Sequence, residues 1–553
     1  MKQLGISAFY HDAAACIVID GKVKVAVEEE RFTEIKHDLS FPINAINFCL
    51  EEEGLTIKDI DQVCWYEDPI IKKDRVLTTF NKKLFSTYFQ RRKFLKEQKT
   101  HDIKSLLQNM GFTGEIVYTP HHASHSAYSY YTSPYIDSAI LTIDGVGEWE
   151  TATISLGIGS KIQKKISIDF PNSLGMFYST ITSFLGFKPN EGEYKVMGLA
   201  PYGDPSRYKD KLASVFKNTS NKFYIKQKYF TWEYSDKIMF NKKLAELLDL
   251  SPRLPEEKVT QEHKDLAAAL QKIYEIQFLK LVQRTKHLTK SNNLCLGGGC
   301  AYNGVANTLA YRYFNSIHIP NAPSDAGSAI GACFSNIPME LKREDNSNPF
   351  LGPEYSNIEI SKEIQNYKEY IQAFKLSDSK LIQKTAELIN NQNIVAWFQG
   401  RMEFGARALG NRSILASPSD PEMRQKLNLI IKEREGFRPF APSVIEEEAS
   451  MWFHVKENIP YMNQVVQAKT KYLPAATHID GSCRVHTVTQ AQNKRYYDLI
   501  KQVGRLSNKA VVLNTSFNLK DQTITMTPKQ AIERFISSKI NFLVIGNFLI
   551  RKT

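Results

Sequence analysis

Two stretches of this chain read in the same way. GISAFYHDAAACIVIDGKVKVAVEEE (residues 5–30) and DSAILTIDGVGEWETATISLGIG (residues 137–159) each run as an apolar strand, a turn of acidic and small residues, and a second alternating strand. A lone hairpin leaves an apolar face and open edges, so each must grow into a larger sheet covered by helices. Two such units, without a simple sequence repeat, predict an internally duplicated α/β fold.

The intervening segments supply the rest of such a fold. PINAINFCLEEEGL (42–55) and residues 262–290 have helical patterning, and EIVYTP (115–120) is a short strand. NLCLGGGCAYNGVANTLAYRY (293–313) reads as a strand, three glycines and a helix starting near Asn303. Glycines in that position let a backbone approach a phosphate or ribose while helix N-terminal amides face the anion. IPNAPSDAGSAIGACFSN (319–336) repeats the logic, with Asp325 opening an Ala/Gly helix. Residues 341–375 are polar, contain two prolines and read as a connector, after which SKLIQKTAELINNQNIVAWFQGR (379–401) starts a second domain. A chain of 553 residues exceeds one ordinary core, and the expected division is 1–355 and 376–553.

Composition excludes some classes. Hydrophobic residues make up 42% and charged residues 24%, with no apolar run near the roughly 18 residues of a spanning helix, so no membrane partner is expected. His11 and Asp12 interrupt the first apolar stretch, which is therefore not a signal peptide. The seven cysteines (16, 49, 64, 295, 300, 333 and 483) show no CxxC spacing, which predicts reduced thiols and a cytoplasmic location. The net charge of +12 would suit a polyanion, but much of it is local to residues 72–104, which read better as a solvated helical excursion than as a nucleic-acid patch.

HHASH (121–125) follows a proline. If a helix starts there, His121 and His125 share a face one turn apart and His122 turns away. Such a pair presents two nitrogens to one divalent metal, although histidines also cluster on helices as satisfied polar residues. No glutamate lies between them, which argues against a zinc-protease site. Asp325, a carboxylate at a helix start, is the candidate third ligand. Farther on, Arg401, Arg407, Arg412, Lys432, Arg434, Arg438 and Arg484 gather more cations than a core tolerates without anions, although one or two of the seven are expected to be ordinary ion pairs. Ser516 and Asn518, alternate residues on a strand, would share a face.

The ordered set of H-x3-H, GGG and SDAG resembles the actin-like ATPase fold of tRNA threonylcarbamoyltransferases, whose metal is held by two histidines and an aspartate. EGEYKVMGLAPYG (191–203), with GISAFYHDAAA and TIDGVGEWET, more closely resembles the NodU/CmcH-type O-carbamoyltransferases. GRMEFGARALGNRSILASP (400–418), IKEREGFRPFAPSV (431–444) and LNTSFN (513–518) resemble that family's second domain. Lys432-Glu-Arg434 and Ser516-Phe-Asn518 also look like the K-x-R and S-x-N signatures of threonylcarbamoyl-adenylate synthases.

The resemblance implies a duplicated actin-like ATPase (ASKHA) domain followed by a YrdC-like α/β domain. It implies that carbamoyl phosphate and ATP, with Mg2+, give carbamoyl adenylate in the second domain, and that the first transfers the carbamoyl group to a hydroxyl of a small molecule. His121, His125 and Asp325 would hold Fe2+ or another divalent ion, while Asp144, Gly297, Gly298 and Asn303 would receive the nucleotide. His11 and Lys36 would act on the acceptor, and Lys432, Arg434 and Arg484 in adenylate formation. Arg401, Arg407, Arg438, Ser516 and Asn518 would hold the anionic substrates. A homodimer is compatible with the family. Two features depart from it: LKDQTITMTP (519–528) replaces the usual Gly-Glu-Pro-Ile-Val segment, and His486 stands where glutamine is common. The rival readings are a tRNA-modifying threonylcarbamoyl-type transferase, disfavoured because both chemistries are fused here, and a non-catalytic nucleotide sensor, which would not need the metal ligands and the cation cluster together.

Overall fold

The computed structural model describes residues 1–81, 102–219, 222–235, 238–337 and 343–553, so most of the basic stretch 72–104 lies outside the described residues. The chain forms two compact units, Met1–Val25 with Leu39–Ser347 and Ala26–Asp38 with Asn348–Thr553. This differs from a linear division at residue 355. After Val25 the chain leaves the first unit, contributes residues 26–38 to the second, and returns at Leu39.

The first unit holds strands β1 (Lys2–Ser7), β2 (Ala14–Ile19), β3 (Lys22–Glu28, its last three residues in the second unit), β4 (Gln62–Trp65), β5 (Glu115–Tyr118), β6 (Asp137–Ile143), β7 (Glu150–Ile158), β8 (Lys161–Asp169), the small hairpin β9 (Phe216–Asn218) and β10 (Phe223–Ile225), β11 (Asn293–Gly297) and β12 (Ser316–His318). Two five-stranded sheets result, β3-β2-β1-β4-β5 and β8-β7-β6-β11-β12. Their orders correspond position by position. In each, the central strand pairs antiparallel with its hairpin partner and parallel with the strand arriving after a helical crossover. The outer pairs β4–β5 and β11–β12 are also parallel. No described helix is long and apolar enough to cross a membrane.

Two glycines set distances that matter for the site. The helix Asp325–Phe334 lies so close to the helix His121–Tyr131 that a Cβ on Gly331 would fall 1.9 Å from the Ser124 carbonyl oxygen. Gly298, at φ +84°, passes equally close to β6: a Cβ there would meet the Ile143 carbonyl oxygen at 2.2 Å. Gly298→Ala combines left-handed backbone strain with a clash against main chain, and we expect it to destabilise the first unit by about 3 kcal/mol. The check is a shift of the urea midpoint at constant slope; an unchanged midpoint would mean that β11 can shift to make room.

The second unit is built on an eight-stranded sheet in the order β13-β22-β21-β14-β15-β20-β16-β19. Its strands are β13 (Ile371–Lys375), β14 (Val395–Phe398), β15 (Arg412–Ala416), β16 (Ala441–Ile445), β19 (His486–Val488), β20 (Val511–Ser516), β21 (Phe542–Ile545) and β22 (Phe548–Lys552); β17 (Val465–Gln467) and β18 (Ser482–Arg484) pair separately. Both faces are covered. Ala396, Phe398, Ile414 and Ala416 join one apolar core, and Val395, Trp397 and Leu415 the other, as the two-residue period of a strand requires. The expected connector 341–375 is corrected here. It contains the helix Asn357–Gln365, started by a Ser356/Glu359 capping box, and the edge strand β13.

Candidate metal centre and anion site

In the first unit the helix of the three histidines has no cap from its own sequence; the Glu148 carboxylate, from the β6–β7 turn, accepts the His121 N–H at 2.9 Å. His121 and His125 then project from one face, with Nε2 atoms 3.1 Å apart. His122 points elsewhere and bonds through Nδ1 to the Thr142 hydroxyl at 2.7 Å. Asp144 Oδ2 lies 3.1 Å from His121 Nε2 and 2.8 Å from His125 Nε2, and Asp325 Oδ1 lies 3.5 Å from each. All four side chains are buried. Asp144, expected among the nucleotide ligands, is therefore also a fourth donor of this group.

The arrangement fits a divalent cation. A tetrahedral ion with bonds of about 2.1 Å needs donor atoms about 3.4 Å apart. Neither oxygen of buried Asp325 has a hydrogen bond among the described residues, an orphaned carboxylate that a cation would satisfy. The Ser328 hydroxyl, one turn on from Asp325, sits 3.0 Å from His125 Nδ1 and so orients Nε2 inward. Burial raises the Asp144 carboxyl, but hydrogen bonds from His121 and His125 hold it well below its usual value. Burial alone would lower His121, yet Asp325, Asp144 and Glu148 push it up to about 9.

The glycine loop touches the same carboxylate. Asp144 Oδ1 accepts from the Gly145 and Gly299 amides at 2.8 and 3.3 Å. Gly297 ends β11, and Asn303 is the N-cap of the helix Gly304–Leu309, bonded to Gln271. His11 stands on the β1–β2 turn, its Nδ1 3.0 Å from Asp12 and its Nε2 3.8 Å from Asp325. Burial would lower this imidazole, but Asp325, Asp12 and Asp144 raise it to about 10. Flanking Phe9 and Asp12 both adopt positive φ, 71° and 52°, a local strain that aims the turn. Lys36, expected beside His11, belongs to the other unit.

In the second unit, Lys432 follows a π-helical turn, Lys426–Ile431. Its ammonium is buried and donates to the Ser516 carbonyl (2.6 Å), the Asn518 carbonyl (2.7 Å) and Asn518 Oδ1 (2.7 Å). Burial first, then the charges of Arg434, Arg438, Lys36 and Arg534, hold it well below the lysine range. The structure corrects the strand argument for the serine and asparagine: β20 ends at Ser516 and the chain bends before Asn518. The two side chains meet through that bend, the Ser516 hydroxyl donating to Asn518 Oδ1 at 2.7 Å. The divergent segment takes part as well, since Asn518 Nδ2 donates to the Gln522 carbonyl at 2.7 Å.

The arginines divide by partner. Arg401 donates to the Gly352 and Leu351 carbonyls, and Arg412 to those of Gln399, Gly400, Asn411 and Pro353, so these two brace main chain. Arg434 bonds Asn428 Oδ1 at 2.8 Å and lies over Phe440, while Arg438 sits 3.6 Å from Glu435. Arg407 stands in the loop between β14 and β15, and Arg484 ends β18. His486 bonds Ser443 at 2.8 Å, and burial depresses it to about 3, so it is neutral. Motif reading did not find Glu403, whose buried Oε1 accepts the Leu409, Asn411 and Arg412 amides at 2.7, 2.8 and 3.1 Å; its only signal was an acid inside an arginine-rich run.

Comparison with known families matches residues 2–334 to the description Carbamoyltransferase N-terminus and residues 386–552 to Carbamoyltransferase C-terminus. The chain is 38% identical to an uncharacterized protein of Synechocystis, with 100% of this chain and 96% of that one covered. It is 32% identical to nodulation protein NolNO of Sinorhizobium fredii (99% and 80% covered) and 34% identical to nodulation protein NolO of Bradyrhizobium diazoefficiens (78% of each).

Proposed function

The chain belongs to the carbamoyltransferase family and is an enzyme of that class, and from this premise we propose that it is an ATP-dependent O-carbamoyltransferase that works through carbamoyl adenylate. The observation that carries the reading is the separation of two chemistries: a buried His/Asp group beside a glycine loop in one unit, and a buried lysine among arginines in the other. The same reading takes the first unit as a duplicated actin-like ATPase domain, consistent with its two matching sheets, and the second as YrdC-like.

In the second unit carbamoyl phosphate loses its phosphate with uptake of water, and a carbamate oxygen attacks the α-phosphorus of Mg2+-bound ATP, releasing pyrophosphate. Lys432, Arg434 and Arg438 draw the anions together, with Arg407 and Arg484 reaching the remaining oxygens. Ser516 and Asn518, fixed by Lys432, hydrogen-bond the carbamoyl group. In the first unit the acceptor hydroxyl attacks the carbamoyl carbon and its proton leaves with AMP, while the protonated His11 ring, oriented by Asp12, donates to the carbamoyl oxygen as charge builds there. The glycine-loop amides of residues 297–299 and the helix capped by Asn303 receive the nucleotide. A divalent ion, Fe2+ being our choice, would be held by His121, His125, Asp144 and Asp325 and would supply positive charge opposite the adenylate phosphate. The acceptor is a small molecule carrying a free hydroxyl.

Carbamoyl phosphate and ATP together should release phosphate and pyrophosphate slowly without any acceptor, because every residue assigned to adenylate formation lies in the second unit. Both products are assayed in one time course. Carbamoyl transfer at full rate without ATP would remove the adenylate from the reaction.

A further inference from the structure

The segment 26–38 lies within the first family match yet folds with the second unit. Ala26 donates to the Leu351 carbonyl, and Phe32 packs with Met402, Ile524 and Met526. Within the segment, the buried Glu28 carboxylate accepts the Gly405 N–H at 2.7 Å. Arg31, also buried, donates through Nη2 to the Gly405 carbonyl at 3.0 Å and to Glu28 at 3.1 Å, and through Nη1 to Glu30 at 2.6 Å. Both main-chain groups of one glycine are thus gripped by an ion pair from a distant part of the chain. Glu403 grips the amides of residues 409, 411 and 412 on the far side of the same loop. Arg407 stands between the two grips.

We infer that Glu28 and Arg31 are positioning residues of the second unit's anion site: they clamp Gly405 and so hold the loop that presents Arg407. This rests on the proposal that Arg407 meets an anionic substrate. A loop held at both ends loses little freedom when an anion arrives, so the clamp acts on substrate affinity. The ion pair itself is suited to this use, because a buried carboxylate and guanidinium satisfied by each other and by main chain have one low-energy arrangement.

The test uses the full chain with Glu28→Ala, Glu28→Gln and Arg31→Met. Pyrophosphate release is measured against each substrate, and amide hydrogen exchange is followed over residues 402–412 and over the histidine helix. We expect Glu28→Ala and Arg31→Met to raise KM for carbamoyl phosphate or ATP about tenfold, with a smaller change in kcat. Exchange should quicken over 402–412 and stay unchanged over 121–131. Glu28→Gln, whose amide oxygen still accepts from Gly405, should recover part of the affinity. Unchanged exchange over 402–412, exchange quickened throughout the second unit, or a fall in kcat at constant KM would each overturn the inference. A wild-type chain that releases no pyrophosphate would overturn the adenylate reading, and the exchange data would still decide whether the clamp exists.

Discussion

Lys432→Ala lowers pyrophosphate release from carbamoyl phosphate and ATP by on the order of 10²- to 10³-fold, while His125→Ala leaves that release in place and stops carbamoyl transfer. This is the expected result if the two half-reactions occupy the two units. Lys432 makes three short contacts with the backbone and side chain of residues 516 and 518; its loss removes a cation and frees the bend that shapes the carbamoyl pocket. Lys432→Arg should not rescue, because a planar fork cannot satisfy three acceptors grouped around one ammonium. Adenylate is followed by mass spectrometry alongside pyrophosphate. If both variants fail in the same half-reaction, the division of labour is wrong.

The same lysine makes a pH prediction. Its folded value lies well below 10.5, so over the interval between the two values the unfolded chain carries a proton that the folded chain lacks. Its contribution to stability is present above 10.5 and is lost as pH falls toward the depressed folded value. Replacing it with methionine should therefore flatten the dependence of stability on pH across that interval. A bound phosphate acts in the opposite direction and restores the charge.

Local periodicity made part of this legible. Histidines four apart on a helix must share a face, a strand followed by three glycines must turn tightly, and an aspartate opening an Ala/Gly helix stands at that helix's N-terminus. Other features depend on pairing at long range and leave little local trace. Asp144 joins the metal group because the β6–β7 hairpin is folded against the histidine helix, and Ser328 because its helix is drawn in beside Ser124. Residues 26–30 read as the end of the first hairpin's second strand; the partners of Ala26, Glu28, Arg31 and Phe32 in the second unit reveal where the segment belongs. The helix Asn357–Gln365 did carry a local sign, the Ser356/Glu359 capping box, which two nearby prolines obscured.

His121→Ala, His125→Ala, Asp144→Asn and Asp325→Asn should each lose most of the bound metal, and His122→Ala should lose little. The difference between neighbouring histidines follows from the helix: successive residues are rotated about 100°, so His122 cannot reach the point that His121 and His125 share. Its Nδ1 is taken by Thr142. The aspartate variants keep the shape of the side chain and lose its charge, which separates attraction for a dication from mere packing. Asp325→Asn is the sharper of the two, since Asp144 retains hydrogen bonds from the Gly145 and Gly299 amides while Asp325 has none among the described residues. The Asp325 charge faces the imidazoles of His11, His121 and His125, so removing it should lower the pKa values of His11 and His121 while the fold stays intact. Metal per chain is measured by elemental analysis on samples whose circular dichroism matches wild type. Equal metal in wild type and His125→Ala would reduce the triplet to a polar helix face, and the four buried donors would then have to be explained by hydrogen bonding alone.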